Sequence, residues 1–299
     1  MAARGAVVVV NHGASDLLEA HLARTAAGLD ALVVVVDNSP SEAARARARE
    51  LAGEHGWVLV ETANDGFGAG VNAGAEEALE RGARALLVVN PDLDVAAADA
   101  AALLDQVLDE PGVLVAPVVQ REDGSTWFSG GSLDPATGRT RSTQPDPAVA
   151  VDWLSGACLA VSAEAWRALG GFDPRFFLYW EDVDLSWRAR AAGLRLAVRR
   201  DVVATHAVGG TQEHAGSRRK SDLYYAQNCR NRLLFAALHL DARTRRRWAL
   251  RAPGYARAVL LRGGRRQLLE GPGPVLAVTR GTFAGLRAIA RPPARHGGP

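Results

Sequence analysis

The chain has 299 residues, 48% of them hydrophobic and 23% charged, with a formal net charge of +2, the composition of a soluble globular protein with a full core. Its two cysteines, Cys158 and Cys229, stand far apart, which excludes a disulfide framework or a zinc knuckle and makes a reducing cytoplasm the expected setting. The apolar run at 7–10 is broken by Asn11-His12-Gly13, too short for a signal-peptide core, and no window nears the roughly 18 apolar residues of a membrane span.

Short β-branched runs alternate with longer helical patterns over the first 120 residues. Residues 6–10 read as a buried strand, followed from about Ser15 by a helix with Leu18, Leu22 and Ala26 on one face. Further strands are predicted at 32–36, 57–60, 85–89 and 113–119. Helices are predicted at 41–53, with Ser41 as N-cap, at 70–81 and at 95–109. Continuous apolar strands separated by helices predict an α/β fold whose parallel sheet is covered on both faces. Residues 120–152, rich in Gly, Asp, Thr and Pro, read as a loop or hairpin excursion. A strand at 158–161 and a helix at 163–169 follow, and then a strand at 194–198 that leads on to Asp201 and Thr205-His206. A helix at 221–240 carries Tyr224, Tyr225, Asn228, Asn231 and Arg232, and arginine-rich helical patterns at 243–262 and 274–290 close the chain.

Ligands of such sheets bind at the carboxyl ends of the strands. Four segments meet that description: Asn11-His12-Gly13, Asp37-Asn38-Ser39-Pro40, the run from Asn64 to Gly74, and Asn90-Pro91-Asp92-Leu93-Asp94. Turns favour these residue types anyway, but four in register weaken that explanation. Asp37 can accept hydrogen bonds from a ribose or base. The glycine-rich 66–74 opens a helix and offers N–H groups to phosphate, although its spacing matches neither the dinucleotide fingerprint nor a P-loop. Asn90 and Asp92 could both face a divalent cation carrying a diphosphate.

Between 170 and 193 a glycine turn, the aromatics Phe176, Phe177, Tyr179 and Trp180, and the carboxylates Glu181, Asp182 and Asp184 come together. Acids in a first turn, with Arg188 and Arg190 in the last, suit the helix dipole. Val183, Trp187 and Ala191 recur every four residues and are expected to face the core, while Asp184 can pair with Arg188 one turn on. On these residues alone, a capped amphipathic helix and a reactive site both stay open.

Taken in order, the segments from 7–11 to Asn90-Pro91-Asp92, then Trp153-(x)2-Gly156, Gly170-Gly171-Phe172-Asp173, the 176–185 run and His206, resemble the inverting family 2 glycosyltransferases of the GT-A fold, on their rhamnosyltransferase-like branch. The resemblance covers about residues 5–240. It implies a Rossmann-like, mostly parallel sheet flanked by helices over 1–240, with a helical basic extension over 241–299. It also implies a nucleotide diphosphate sugar donor (a dTDP- or UDP-hexose, rhamnose among the options), Mg2+ or Mn2+, and a hydroxyl-bearing acceptor for which a lipid-linked one is an option. By that resemblance Asn11, Asp37, Asn64, Gly66, Asn72, Asn90, Asp92 and Gly156 serve the nucleotide sugar, and Asp92 with His206 the metal. Asp182 is the general base, Glu181 its orienting neighbour, and Trp153, Tyr179 and Trp180 the acceptor side. The family at large has Asp-x-Asp where this chain has Asn90-Pro91-Asp92, the form usual in the branch, which leaves fewer charged metal ligands. Crowding by Glu181 and Asp184, and partial desolvation beside Trp180, should raise the pKa of Asp182. Gly209-Gly210 are expected to make the stretch after His206 a mobile loop.

Two rival readings are a sugar nucleotidyltransferase, which would need a basic glycine-rich loop where Asn11-His12-Gly13 stands, and a non-catalytic sugar-binding relative, which the intact Glu181-Asp182 and Asp92 oppose. Residues 241–299 hold 13 arginines against Asp241 and Glu270, a net +11 where the whole chain is +2. With Trp248, Leu250, Tyr255, Val259, Leu260 and Leu261 interleaved, the tail reads either as a peripheral contact with the inner membrane face or as a solvated helix pair. No nucleic-acid-binding module accompanies it, and no nucleic acid is expected.

Overall fold

The structure, a computed structural model, describes residues 4–143, 146, 149–206, 220–291 and 293. Gly209-Gly210 lie outside them. By packing, the chain forms two compact units. The first comprises Met1–Ser132, Ser142–Phe177 and Glu181–Ala207, and the second Leu133–Arg141, Leu178–Trp180 and Val208–Pro299.

The first unit is built on β1 (Gly5–Asn11), β2 (Ala31–Asp37), β3 (Val58–Glu61), β4 (Ala85–Val89), the short β5 (Leu93–Asp94), β6 (Val113–Arg121), β7 (Thr126–Phe128), and later β10 (Cys158–Ser162) and β11 (Arg195–His206). The sheet order is β3-β2-β1-β4-β10-β6-β11-β5, with β7 hairpinned onto β6. Valine and leucine runs with no polar alternation make its central strands buried throughout, as strands covered on both faces must be. Between β1 and β2, α1 (Ser15–Leu17) and α2 (Ala23–Ala26) are the ends of one helical stretch whose middle, Leu18–Leu22, is a π-turn. The other crossovers are α3 (Glu42–His55), α4 (Phe67–Glu80) and α5 (Ala97–Asp109), and α6 (Ala163–Leu169) and α7 (Glu181–Ala191) follow β10. Ser41 caps α3 by accepting from the Ala44 N–H, and Gly56 ends that helix in the left-handed region.

The sheet is mixed: β5 runs antiparallel to β11 and β7 to β6, and one central strand is reversed as well. β10 runs antiparallel to both β4 and β6, while β1 to β4 are mutually parallel and β6 is parallel to β11. β10 is reached from β6 through the 122–157 excursion rather than through a helical crossover, which antiparallel neighbours allow and parallel ones do not. The last strand is also longer than expected. β11 carries an irregularity between Arg199 and Val203 and continues to His206, so that histidine ends the strand instead of following it. In register, Asn11 stands beside Asp37 and Asp37 beside Glu61, which brings the carboxyl ends of β1, β2 and β3 level.

The second unit holds the excursion hairpin of β8 (Ser132–Asp134), from Leu133 on, and β9 (Arg139–Arg141). With it are α8 (Asp222–His239), α9 (Ala242–Leu250), α10 (Ala252–Leu261), the turn α11 (Gln267–Glu270) and α12 (Gly273–Ala290). Within this unit α8 packs with the tail helices, α12 above all. A Cβ on Gly281 would stand 2.1 Å from the carbonyl of Ala226, and one on Gly285 2.7 Å from the Cβ of Leu233, so only glycine lets α12 lie so close on α8. Arg232 is fully buried there, donating to the carbonyls of Thr137, Gly138 and Trp248 and lying over the rings of Trp248 and Tyr255. Burial lowers its pKa to about 10. Both cysteines are buried free thiols, and burial pushes Cys158 up to about 12 and Cys229 up to about 11, so neither is a ready nucleophile.

Candidate active site

The carboxyl ends of the first unit's strands collect polar groups that the fold encloses without pairing them fully. Asn11, buried at the end of β1, donates from Nδ2 to Asp37 Oδ1 at 2.8 Å, and Ser39 Oγ donates to the same oxygen at 2.6 Å. Asp37 Oδ2 is buried with no partner. The hydroxyl of Thr62, one residue past β3, is likewise unpartnered, and so are Asp92 Oδ1 beyond β4 and Glu181 Oε2 at the start of α7. Buried polar atoms are nearly always hydrogen-bonded, so these four unpartnered oxygens are candidate ligand contacts. Thr62 was not foreseen: a lone threonine before Asn64 carries no spacing signal.

The glycine-rich segment is packed closely from both sides. α4 begins at Phe67, and its first N–H is already taken by the carbonyl of Phe177 at 2.9 Å. Gly66 has φ +104°, and a Cβ on it would meet the Phe177 oxygen at 2.1 Å. A Cβ on Gly68 would stand 2.9 Å from the Cβ of Phe172, and one on Gly74 2.6 Å from Val8 and 2.7 Å from Val36. These glycines let α4 lie close to the sheet and to the segment leading to Glu181, a packing reason for their presence. Asn72 joins the same work. Its Nδ2 donates to the Phe172 carbonyl at 2.8 Å and its Oδ1 accepts the Phe172 N–H at 2.9 Å, which ties up the amide expected to serve the nucleotide sugar. Asn64 is exposed and accepts the Gly66 N–H at 3.3 Å.

Asn90 is half-buried, its N–H bonded to the Ala157 carbonyl. Asp92 is buried, with Oδ2 3.6 Å from His206 Nε2. Burial raises its carboxyl pKa, and His206 opposes the shift. The imidazole of His206 stacks on Trp127 with ring centres 5.2 Å apart, a support in the excursion that no sequence pattern announced. Asp94 is drawn off by an ion pair with Arg24 at 2.8 Å. Among the described residues no cluster of three or more His, Cys, Asp or Glu side chains surrounds a common point. One orphaned carboxylate oxygen and one imidazole nitrogen nevertheless fit a divalent cation that completes its shell from water and a substrate diphosphate.

α7 opens with the paired carboxylates. Glu181 is buried, and burial followed by repulsion from Asp182 raises its pKa well above the ordinary range. Asp182 keeps some accessible surface, and desolvation by its walls lifts its carboxyl to about 6. The Gly156 N–H at 3.3 Å and the Val183 N–H at 2.8 Å oppose that rise by bonding its two oxygens. Of the two expected causes, desolvation is the larger for Asp182. Asp184 is fully buried and pairs with Arg188 at 2.8 Å, one turn on, and Arg188 also donates to the carbonyls of Leu169 and Gly171. The helix buries Val183, Leu185, Ser186 and Ala189, and Ala191 is exposed, contrary to the four-residue pattern. Ser186 Oγ takes the Leu154 N–H at 3.0 Å, which draws a polar residue into the buried face.

The three aromatics expected on the acceptor side are packed to different degrees. Trp153 is buried, its indole filling the space a Cβ on Gly131 would need and donating to the Ser132 carbonyl at 3.3 Å. In the second unit Tyr179 and Trp180 hold φ +69° and +76°, two successive left-handed residues without a glycine, a conformation that costs about 1–3 kcal/mol each. Asn231 compensates by donating from Nδ2 to the carbonyls of Leu178 and Tyr179, at 3.0 and 2.8 Å. The Trp180 ring packs near Phe235 and Trp248 and is only 4% exposed, so it is a core residue of its unit; Tyr179 meets Tyr224 edge-on and stays half-buried.

Residues 3–232 match the model of a family described as "Glycosyltransferase like family 2". The chain is 31% identical over 164 residues to an N-acetylglucosaminyl-diphospho-decaprenol L-rhamnosyltransferase of Mycobacterium tuberculosis, a match over 46% of this chain and 53% of that protein. It is 24% identical over 213 residues to the low-salt glycan biosynthesis hexosyltransferase Agl10 of Haloferax volcanii, over 67% of this chain and 66% of that one. The chain thus spans about half to two thirds of the length of these curated relatives. Among solved structures, the mannosyltransferase PcManGT of Pyrobaculum calidifontis, in complex with GDP-Man and Mn2+, aligns with a TM-score of 0.56 over 96% of this chain and 87% of its own, at 17% identity. GalNAc-T7, crystallised with UDP, GalNAc and Mn2+, aligns with a TM-score of 0.60 over 78% of this chain and 48% of its own, at 16% identity.

Proposed function

Because the chain belongs to the family 2-like glycosyltransferases and has their GT-A fold, we propose that it moves a hexose, rhamnose foremost, from a nucleotide diphosphate sugar to a hydroxyl of a lipid-linked acceptor with inversion at the anomeric carbon. The observation that carries this reading is the set of unpartnered oxygens of Asp37, Thr62, Asp92 and Glu181 at the carboxyl ends of one sheet and the start of the helix beside it. The lipid-linked acceptor and the rhamnosyl donor rest on the relative acting, by its name, on a diphospho-decaprenol.

In this reading Asp37, oriented by Asn11 and Ser39, receives the nucleoside, and Thr62 stands one strand away. Asp92 and His206 would hold a divalent cation, Mg2+ or Mn2+, which when bound supplies positive charge against the leaving diphosphate. Asp182 takes the acceptor hydroxyl's proton as that oxygen bonds to the anomeric carbon and the nucleoside diphosphate departs from the opposite face. Two carboxyl groups side by side do not ionise together easily. We assign the first ionisation to Asp182, whose oxygens are bonded by two backbone N–H groups, and the shared proton to Glu181, whose Oε2 has no donor. A base titrating near 6 is ionised at neutral pH yet still basic enough to accept a proton, a contribution of about 10²–10⁴ in rate. The buried free thiols suit a cytoplasmic enzyme.

Calorimetry with UDP, dTDP and GDP, each with and without Mn2+, tests the donor site. Binding of at least one of them, strengthened by Mn2+, is expected; no heat with any of them in either condition would overturn the assignment.

A further inference from the structure

α12 is built inside out. Its buried residues, Pro274, Ala277, Val278, Gly281 and Gly285, are small and let it settle closely onto α8, while Val275, Leu276 and Phe283 point outward, Leu276 63% and Phe283 60% exposed. A helix made only to pack on its neighbour would turn its leucine and phenylalanine inward. Leu276, Arg280, Phe283 and Arg287 follow one another at spacings of four, three and four, so they form one stripe along the exposed face. From Gly273 to Arg291 there is no acidic residue and there are three arginines. Neither Arg280 nor Arg287 enters an ion pair among the described residues. Leu268, just before α12, is also exposed. No described helix is long and apolar enough to cross a membrane.

We propose that this stripe of α12 docks on an anionic lipid surface, with Leu276 and Phe283 entering the headgroup boundary and Arg280 and Arg287 lying among the lipid phosphates. Large apolar side chains alternating with cations along a surface helix are the pattern of an interfacial helix. Charge selects the occupant. A second copy of the chain would bring two acid-free, arginine-lined faces together, whereas a bilayer of anionic lipid supplies the missing opposite charge along with an apolar boundary. The surface stands on its own, independent of the transferase reading.

The experiment is cosedimentation of the full chain with vesicles of pure phosphatidylcholine and of phosphatidylcholine with 30% phosphatidylglycerol, at low and at 0.5 M salt. Binding to the anionic vesicles alone, released by salt, is expected. The double substitution L276D/F283D should weaken it by tenfold or more, and R280E/R287E by at least about 25-fold, about fivefold for each arginine lost before the repulsion of the two new acids is counted. R243E/R246E on α9 reverses the same charge away from the stripe and should cost clearly less. All six positions are exposed or away from the core, and melting curves verify that the variants fold. Equal binding to neutral vesicles, no binding at all, or an α9 variant as defective as the α12 ones would each overturn the proposal. So would a dimer, seen by light scattering, that F283D dissolves while vesicle binding is unchanged.

Discussion

Replacing each member of the Glu181–Asp182 pair in turn separates the base from its neighbour. Asp182→Asn keeps the shape of the side chain and an acceptor oxygen for one of the two N–H groups that bond the carboxylate's separate oxygens, but it removes the basic oxygen that takes the proton. The expected fall in kcat is about 10²–10⁴-fold, the range for a positioned general base, with nucleotide affinity unchanged. Glu181→Gln mimics the protonated state assigned to Glu181 and should keep most of the rate. The pH profile carries the sharper test. With the Asp182 carboxyl lifted to about 6, kcat/KM in the wild type should rise with pH, level off above 7, and at pH 5 stand at roughly a tenth of its plateau. Glu181→Gln should keep that limb near the same midpoint, because Glu181 holds its proton while Asp182 titrates and so adds no charge beside it. The assay is initial-rate release of nucleoside diphosphate from donor and acceptor between pH 4.5 and 9. A flat profile, near-normal turnover in Asp182→Asn, or loss of the limb in Glu181→Gln would refute the assignment.

The same pair governs stability. A carboxyl held at about 6 in the fold, against 3.8 unfolded, leaves stability intact below pH 3.8 and costs up to about 3 kcal/mol once pH passes 6. Asp182→Asn should therefore raise the Tm at pH 8, and the gain should vanish near pH 4; a gain equal at both values would contradict this. Asn72→Ala leaves the buried N–H and carbonyl of Phe172 without partners and should cost about 2–4 kcal/mol in urea unfolding, with loss of activity as a consequence of folding. Gly66→Ala should be at least as damaging, since the new Cβ would overlap the Phe177 carbonyl in a left-handed backbone. Asp92→Asn and His206→Ala should each weaken Mn2+-dependent nucleotide binding tenfold or more in calorimetry, and should change metal-free binding far less.

Much of this architecture could be read from the chain because the signals were long and periodic. The strands at 85–89 and the helix at 163–169 needed no correction, as apolar runs bounded by turn residues leave little choice. The four strand-end segments were legible because topology alone sends them to one edge. What escaped depended on partners distant in sequence. Nothing local distinguishes a glycine that admits phosphate from one that admits a neighbouring backbone, and Gly66 is of the second kind only because Phe177, over a hundred positions on, lies against it. Asn72 is held by Phe172 in the same way, and Trp127 reaches His206 from an excursion without a pattern of its own. Composition revealed the tail's charge, but not that α12 faces its large apolar residues outward, because periodicity does not say which face is buried.

The most direct test of the account is the anomeric configuration of the product, read by proton NMR before any mutarotation, when the chain transfers a hexose from its nucleotide sugar to a hydroxyl acceptor. A single displacement with Asp182 as base predicts a configuration opposite to that of the donor. Retention of the donor's configuration, or no transfer from any hexose donor that binds, would contradict it.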